Sequence, residues 1–151
     1  MRFNKKLKFL LRMFPKKMRP YYCKNLSSLF KENIDRNKIY TKMDKFFYYH
    51  LPFQLIRHRI FFSKDSRGFG EDAFHSMWYL FFSEFKPKNC LEIGVYRGQM
   101  ITLWSLISKL LSLNTNISAL APFEPASDKD SKYLENINYF EDTKKNHELF
   151  Y

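Results

Sequence analysis

Cys90-Leu91-Glu92-Ile93-Gly94-Val95-Tyr96-Arg97-Gly98-Gln99 is the stretch on which the reading of this chain turns. A short apolar run reaches an acid and then a glycine. A second glycine follows at Gly98, and behind it a long apolar helical pattern runs from Met100 to Leu113. Strand, tight loop and helix in that order are the first half of a βαβ unit. Gly94 and Gly98 let the backbone turn sharply and let a ligand come close to the main chain. The helix start behind the loop supplies unpaired N–H groups and a partial positive charge. Ligands of open α/β sheets bind at this kind of crevice.

Working outward, Asn114-Thr115-Asn116 is a turn and Ile117 to Ala121 a second short apolar strand. Parallel pairing with the first strand completes a right-handed βαβ unit. Pro122 and Pro125 end it, and a last helix is predicted from about Ser131 or Tyr139 to Phe150. Upstream, residues 71–85 (EDAFHSMWYLFFSEF) predict a helix with Glu71 and Asp72 in its first turn. Phe74, Met77, Trp78, Phe81 and Phe85 recur at helical spacing and are expected to face the sheet. His75 on this helix reads as a packing or surface histidine.

The glycine loop is not a P-loop, because no Gly-Lys-Ser/Thr follows. It also departs from the dinucleotide fingerprint, since Tyr96 stands where a glycine is required. It does resemble motif I of the class I S-adenosylmethionine-dependent methyltransferases, in the Glu-x-Gly-x-x-x-Gly variant. The resemblance extends from about Gly70 to Tyr151, through Pro122-Phe123, Pro125-Ala126, Asp128, Tyr133 to Tyr139 and Glu141-Asp142-Thr143, to one bacterial branch of glycan and secondary-metabolite tailoring enzymes. It implies an α/β fold: an incomplete Rossmann-like methyltransferase fold, the first βαβ unit, preceded by a basic helical N-terminal segment.

The same resemblance implies S-adenosyl-L-methionine as cofactor and a small molecule or sugar as methyl acceptor. Carried onto this chain, the loop cradling the methionine end of the cofactor comprises Glu92, Gly94, Val95, Tyr96, Arg97 and Gly98. A tight turn with no ligand is the alternative for the two glycines, and a solvated loop charge that for Arg97. The family's ribose-binding acid at the end of strand two is missing. Ala121-Pro122-Phe123 stands there, leaving Asp128 or Glu124 as substitutes or as plain surface acids. Such enzymes wind six or seven strands, whereas two are legible here. The expectation is an N-terminal portion, a truncated form whose catalytic residues are unassigned and whose activity on its own is in doubt. No metal site is expected.

The charge is unevenly spread. The net charge is +11 over 151 residues. Residues 1–67 carry 18 Lys and Arg against 4 acids, and residues 68–151 carry 8 against 11. The whole-chain basicity therefore says nothing of the glycine loop, and no specific nucleic-acid partner is expected. A soft boundary falls at 67/68, beside Gly68 and Gly70, dividing a basic, aromatic-rich helical segment from a SAM-binding half. Within the basic segment, Phe3, Leu7, Leu10, Leu11 and Phe14 fall on one helical face until Pro15. That helix either packs on the domain or lies weakly on an anionic membrane. Leu26 to Ile39 predicts a further helix, and the Phe46-Phe47-Tyr48-Tyr49 cluster a cap that packs its aromatics inward. Basic residues interleaved with aromatics also suit single-stranded nucleic acid, the less favoured reading.

Cys23 and Cys90 are far apart and form no Cys-x-x-Cys pair, which fits a reducing cytoplasm. The histidines lack zinc-ligand spacing, and no run is apolar enough to span a membrane. The second reading of the whole is a non-enzymatic protein that docks on membrane or polyanion through its basic segment. A homo-oligomer is among the expected partners of either.

Overall fold

Two five-residue strands, β1 (Asn89–Ile93) and β2 (Asn116–Leu120), pair in parallel. Cys90 stands opposite Ile117 and Ile93 opposite Leu120. A parallel pair needs a crossover, and helix α5 (Gln99–Leu110) supplies it. The computed structural model describes residues 12–31, 35–123 and 136–151. Over these the chain is mixed α/β, mostly helical, with this one two-stranded sheet. The remaining helices are α1 (Leu26–Lys31), α2 (Arg36–Tyr49), α3 (Phe53–Phe62), α4 (Asp72–Phe85) and α6 (Tyr139–Phe150). None of the described helices is long and apolar enough to cross a membrane.

The chain divides into two compact units, Met1–Arg59 with Glu71–Phe85, and Ile60–Gly70 with Lys86–Tyr151. The change of charge sign falls at 67/68 instead. It marks where the lysines thin out, not where the contacts do, so α4 belongs with the basic unit and residues 60–67 with the sheet.

In the first unit, α2 begins where Asp35 accepts from the Asn37 N–H (3.3 Å), and Pro52 separates it from α3. The aromatic cluster lies in α2, and Met43, Phe46, Phe47 and Tyr49 are buried. Each contributes roughly 1.5–3 kcal/mol of burial. Helix α4 packs on α2 and α1. Its buried positions are Ala73, His75, Ser76, Leu80 and Phe82, while Phe74 and Phe85 are exposed. The expected sheet-facing stripe is thus displaced, because the aromatic side of α2 fills the neighbouring face. The single helix expected over Leu26 to Ile39 is two. Asn25 caps the first, its Oδ1 3.0 Å from the Ser28 N–H, and Asp35 restarts the second. Of the predicted N-terminal helix, residues 1–11 lie outside the described residues. The rest holds only a 3-10 turn, Lys16–Met18.

In the second unit, α5 and α6 pack together and α5 lies on β2. The core of this unit includes Val95, Leu103, Trp104, Leu106, Ile107 and Tyr139. Asn138 starts α6 by accepting from the Glu141 N–H at 3.0 Å. One face of the sheet is open, with Leu91 58%, Ile93 75% and Leu120 63% exposed. Parallel sheets are ordinarily covered on both faces. Cys90, on the other face, is partly buried and free, and burial pushes its thiol up.

Candidate functional site

The loop between β1 and α5 makes three left-handed residues in five. Gly94 has φ +87°, Tyr96 +51° and Gly98 +81°. Glycine accepts that conformation without strain, whereas a residue with a Cβ loses about 1–2 kcal/mol. Tyr96, at the place where the dinucleotide fingerprint has glycine, is itself left-handed. It is held there by its ring, which lies 5.0 Å from Phe69 and 5.4 Å from Tyr139. Val95 is buried beneath the loop.

The two glycines differ in what lies beyond them. A Cβ on Gly98 would stand 2.8 Å from Thr143 Cγ2, so this glycine is explained by the close approach of α6. A Cβ on Gly94 would meet nothing within 4 Å. Packing among the described residues explains Gly98 but leaves the space over Gly94 open. The Gly94 N–H itself continues the sheet, donating to Leu120 O at 2.9 Å.

Glu92 caps α5. Gly98, the N-cap, has no side chain to offer, and Glu92 Oε2 accepts from the Ile101 N–H at 3.1 Å. Burial pushes the Glu92 carboxyl up to about 7, and that N–H opposes the shift by favouring the anion. The acid therefore sits near the end of β1, beside the loop, with its carboxylate on an amide in the first turn of α5.

Arg97 is neither a solvated charge nor directed at open space. It is buried and pairs with Asp142 through Nε to Oδ2 (2.6 Å) and Nη2 to Oδ1 (3.2 Å). Its Nη1 donates to Asp65 O at 2.8 Å. Asn146 Nδ2 donates both to Arg97 O and to Asp142 Oδ2, each at 3.1 Å. The hydrogen bonds and charge of Asp142 raise the Arg97 guanidinium further above its usual range, against the effect of burial.

Gln99 had no functional reading from sequence. Its buried side chain accepts from the Gly70 N–H through Oε1 at 2.9 Å. A Cβ on Gly68 would fall 2.1 Å from that oxygen, and one on Gly70 2.8 Å from Nε2. The glycines read as a domain boundary are thus the places where segment 65–70 lies against the loop. Glu92, Gly94, Val95, Tyr96, Arg97 and Gly98 come together here, and Asp128 and Glu124 lie outside the described residues. A cavity of about 510 Å³, lined by residues including Ser105, Lys109, Asn114 and His147, opens elsewhere, at the end of α5 and the start of β2. His147 Nε2 lies 3.1 Å from Ser105 Oγ there. Ser105 Oγ already donates to Ile101 O (2.8 Å), so the imidazole is the donor and does not activate the hydroxyl.

Among the described residues no group of three or more His, Cys, Asp or Glu is placed to hold a metal ion. No known protein family, curated protein or solved structure matches the chain.

Proposed function

We propose that the β1–loop–α5–β2 unit is a cofactor cradle of the class I methyltransferase kind, taking S-adenosyl-L-methionine, in a protein that methylates a small-molecule or sugar acceptor. The observation that carries the reading is Gly94: a left-handed glycine at the carboxyl end of a parallel strand, ahead of a helix, with open space where a side chain would stand. Among the described residues nothing demands glycine for its size at that point. Its left-handed φ already favours glycine, and the open space leaves room for a ligand to lie against the main chain.

The residues present fit the methionine end of such a cofactor. Gly94 gives room, Glu92 supplies a carboxylate beside the loop, and α5 begins directly after the loop. Arg97 and Gln99 serve as ties, fixing the loop to α6 and to segment 65–70. The fit is incomplete at the ribose end, because β2 leads into Ala121-Pro122-Phe123 with no acid. When bound, the cofactor supplies an electrophilic sulfonium methyl, and this unit's part is to hold and orient it.

The test is titration calorimetry of S-adenosylhomocysteine into the chain, with Gly94→Trp alongside. Binding by the wild type that the tryptophan abolishes supports the cradle. Binding that the tryptophan leaves unchanged places the ligand elsewhere and refutes it.

A further inference from the structure

We propose that the turn Met13–Met18 is a docking wedge for an anionic bilayer surface. The proposal is independent of the cofactor reading and rests on the first unit alone. Residues 12–31 contain Arg12, Lys16, Lys17, Arg19, Lys24 and Lys31 and no acid; the first acid of the whole chain is Glu32. Within this segment the charges and the apolar side chains are sorted by the fold.

The two arginines that flank the turn face inward and serve the structure. Arg19 donates from Nη1 to Tyr49 O (3.0 Å), and Arg12 donates from Nη2 to Leu51 O. Both carbonyls lie at the carboxyl end of α2, where acceptors lack helical partners and cations are favoured. Arg19 Nε also holds Phe14 O at 2.8 Å, and the His50 Nε2–H donates to Pro20 O at 2.8 Å. The turn is closed by the Met18 N–H to Pro15 O (2.8 Å). It is therefore a pinned structure, anchored on both sides.

What it presents outward is different. Lys16 and Lys17 are exposed, and on either side of them Met13 is 82%, Phe14 51% and Met18 71% exposed. Single exposed apolar residues are ordinary on protein surfaces. Three within six residues, interleaved with two lysines on a turn held rigid from behind, combine the two forces that bind proteins to acidic lipid: apolar insertion at the acyl boundary and attraction to anionic headgroups. A nucleic acid would use the same charges but stack its bases on aromatic faces. The turn itself offers one aromatic ring, Phe14, and the next in sequence, Tyr21, is already taken up by Tyr49 (centroids 5.8 Å apart) and by Lys45 Nζ (4.4 Å). Two of the three apolar side chains are methionines, which give no face for base stacking but insert readily into an acyl boundary, so the bilayer is the favoured partner.

The experiment is co-sedimentation of the full chain with phosphatidylcholine vesicles, with and without phosphatidylserine. The variants are Met13→Ser/Phe14→Ser/Met18→Ser and Lys16→Gln/Lys17→Gln. All five side chains are exposed, so both variants should keep the wild-type circular dichroism spectrum. The proposal expects binding that requires phosphatidylserine, weakens with salt, and falls on the order of 10-fold or more in each variant. Absence of binding to the acidic vesicles overturns it. So does an apolar-to-serine variant that binds them as well as wild type. Salt-sensitive binding of a single-stranded oligonucleotide, untouched by the serine substitutions and stronger than vesicle binding, would assign the surface to polyanions instead.

Discussion

Arg97 and Asp142, 45 positions apart in sequence, meet in a two-point ion pair with contacts of 2.6 and 3.2 Å. The arginine side chain is only 9% exposed. The pair fastens the glycine loop to α6. Asp142→Ala would leave a buried guanidinium without its counter-charge, and removing one partner of such a pair is far costlier than the pair's net worth. The expected loss is about 2–3 kcal/mol, set below the fully buried case because Asp142 is 24% exposed. Urea unfolding measures it. The pair Arg67–Asp65, whose acid is 69% exposed, is the control. Asp65→Asn keeps a residue that tolerates the positive φ there, and should cost under about 1 kcal/mol.

The two loop glycines should respond differently to alanine. Gly94→Ala meets open space and suffers only the left-handed strain, about 1–2 kcal/mol. Gly98→Ala suffers the same strain plus a clash with Thr143 Cγ2, and should be the less stable of the two. Thr143→Ser removes that methyl. The double variant Gly98→Ala/Thr143→Ser should therefore recover part of the loss. Additive penalties in the double-mutant cycle would show that the clash is relieved in another way.

The histidine pair makes the first unit acid-sensitive. His58 Nδ1 lies 3.0 Å from His75 Nε2, and both rings are buried. His75 Nδ1 lies 3.2 Å from Glu71 O and must donate there. That leaves His75 Nε2 as the acceptor for a proton on His58 Nδ1. Burial holds the His75 imidazole down at about 4, partly offset by the bond to Glu71 O. The folded value lies below the unfolded one near 6.5, so stability is full above pH ~6.5 and is lost as pH falls toward 4. The loss is of order 3 kcal/mol at the lower end. Denaturation midpoints between pH 7 and pH 4 (roughly the span of the two values) should fall, and His75→Gln should flatten that slope whatever it does to the stability at neutral pH.

Glu92 should act in the opposite direction in the second unit. Its folded value, about 7, lies above the ordinary carboxylate value, so the contribution is favourable at acid pH and lost as pH rises through 7. Glu92→Gln keeps an acceptor for the Ile101 N–H and removes the buried charge. Amide exchange in α5 should slow in that variant above neutral pH and stay near wild type below pH ~5.

Much of the second unit is legible in the sequence. Strand β1 and the end of α6 at Phe150 fall where periodicity and glycine spacing put them, α5 starts one residue before the apolar pattern at Met100, and β2 is shifted by one residue. Each is a local property, written in the alternation of apolar and polar residues. Helix α5 stops at Leu110 instead of Leu113 because its last turn closes early, the Leu113 N–H reaching back to Ser108 O at 2.8 Å. What the sequence hides is long-range. Arg97 reads as a loop charge until Asp142 is brought beside it. Gln99 reads as a helix-start residue until Gly68 and Gly70 fold over it. His75 reads as ordinary until His58 arrives from α3. The buried side of α4 is equally hidden, since its sequence is apolar almost all round and only the position of α2 chooses among its faces.

The most direct test of the cofactor reading follows individual amides. The amides of the uniformly nitrogen-15-labelled chain are recorded by NMR during titration with S-adenosylhomocysteine. If the loop is the cradle, the largest and saturable shifts fall on Gly94, Val95, Tyr96 and Gly98, with Gln99 and Ile101 next, and the amides of the first unit stay still. Saturating shifts centred outside this loop, or none at concentrations well into the millimolar range where even weak ligands register, would contradict it.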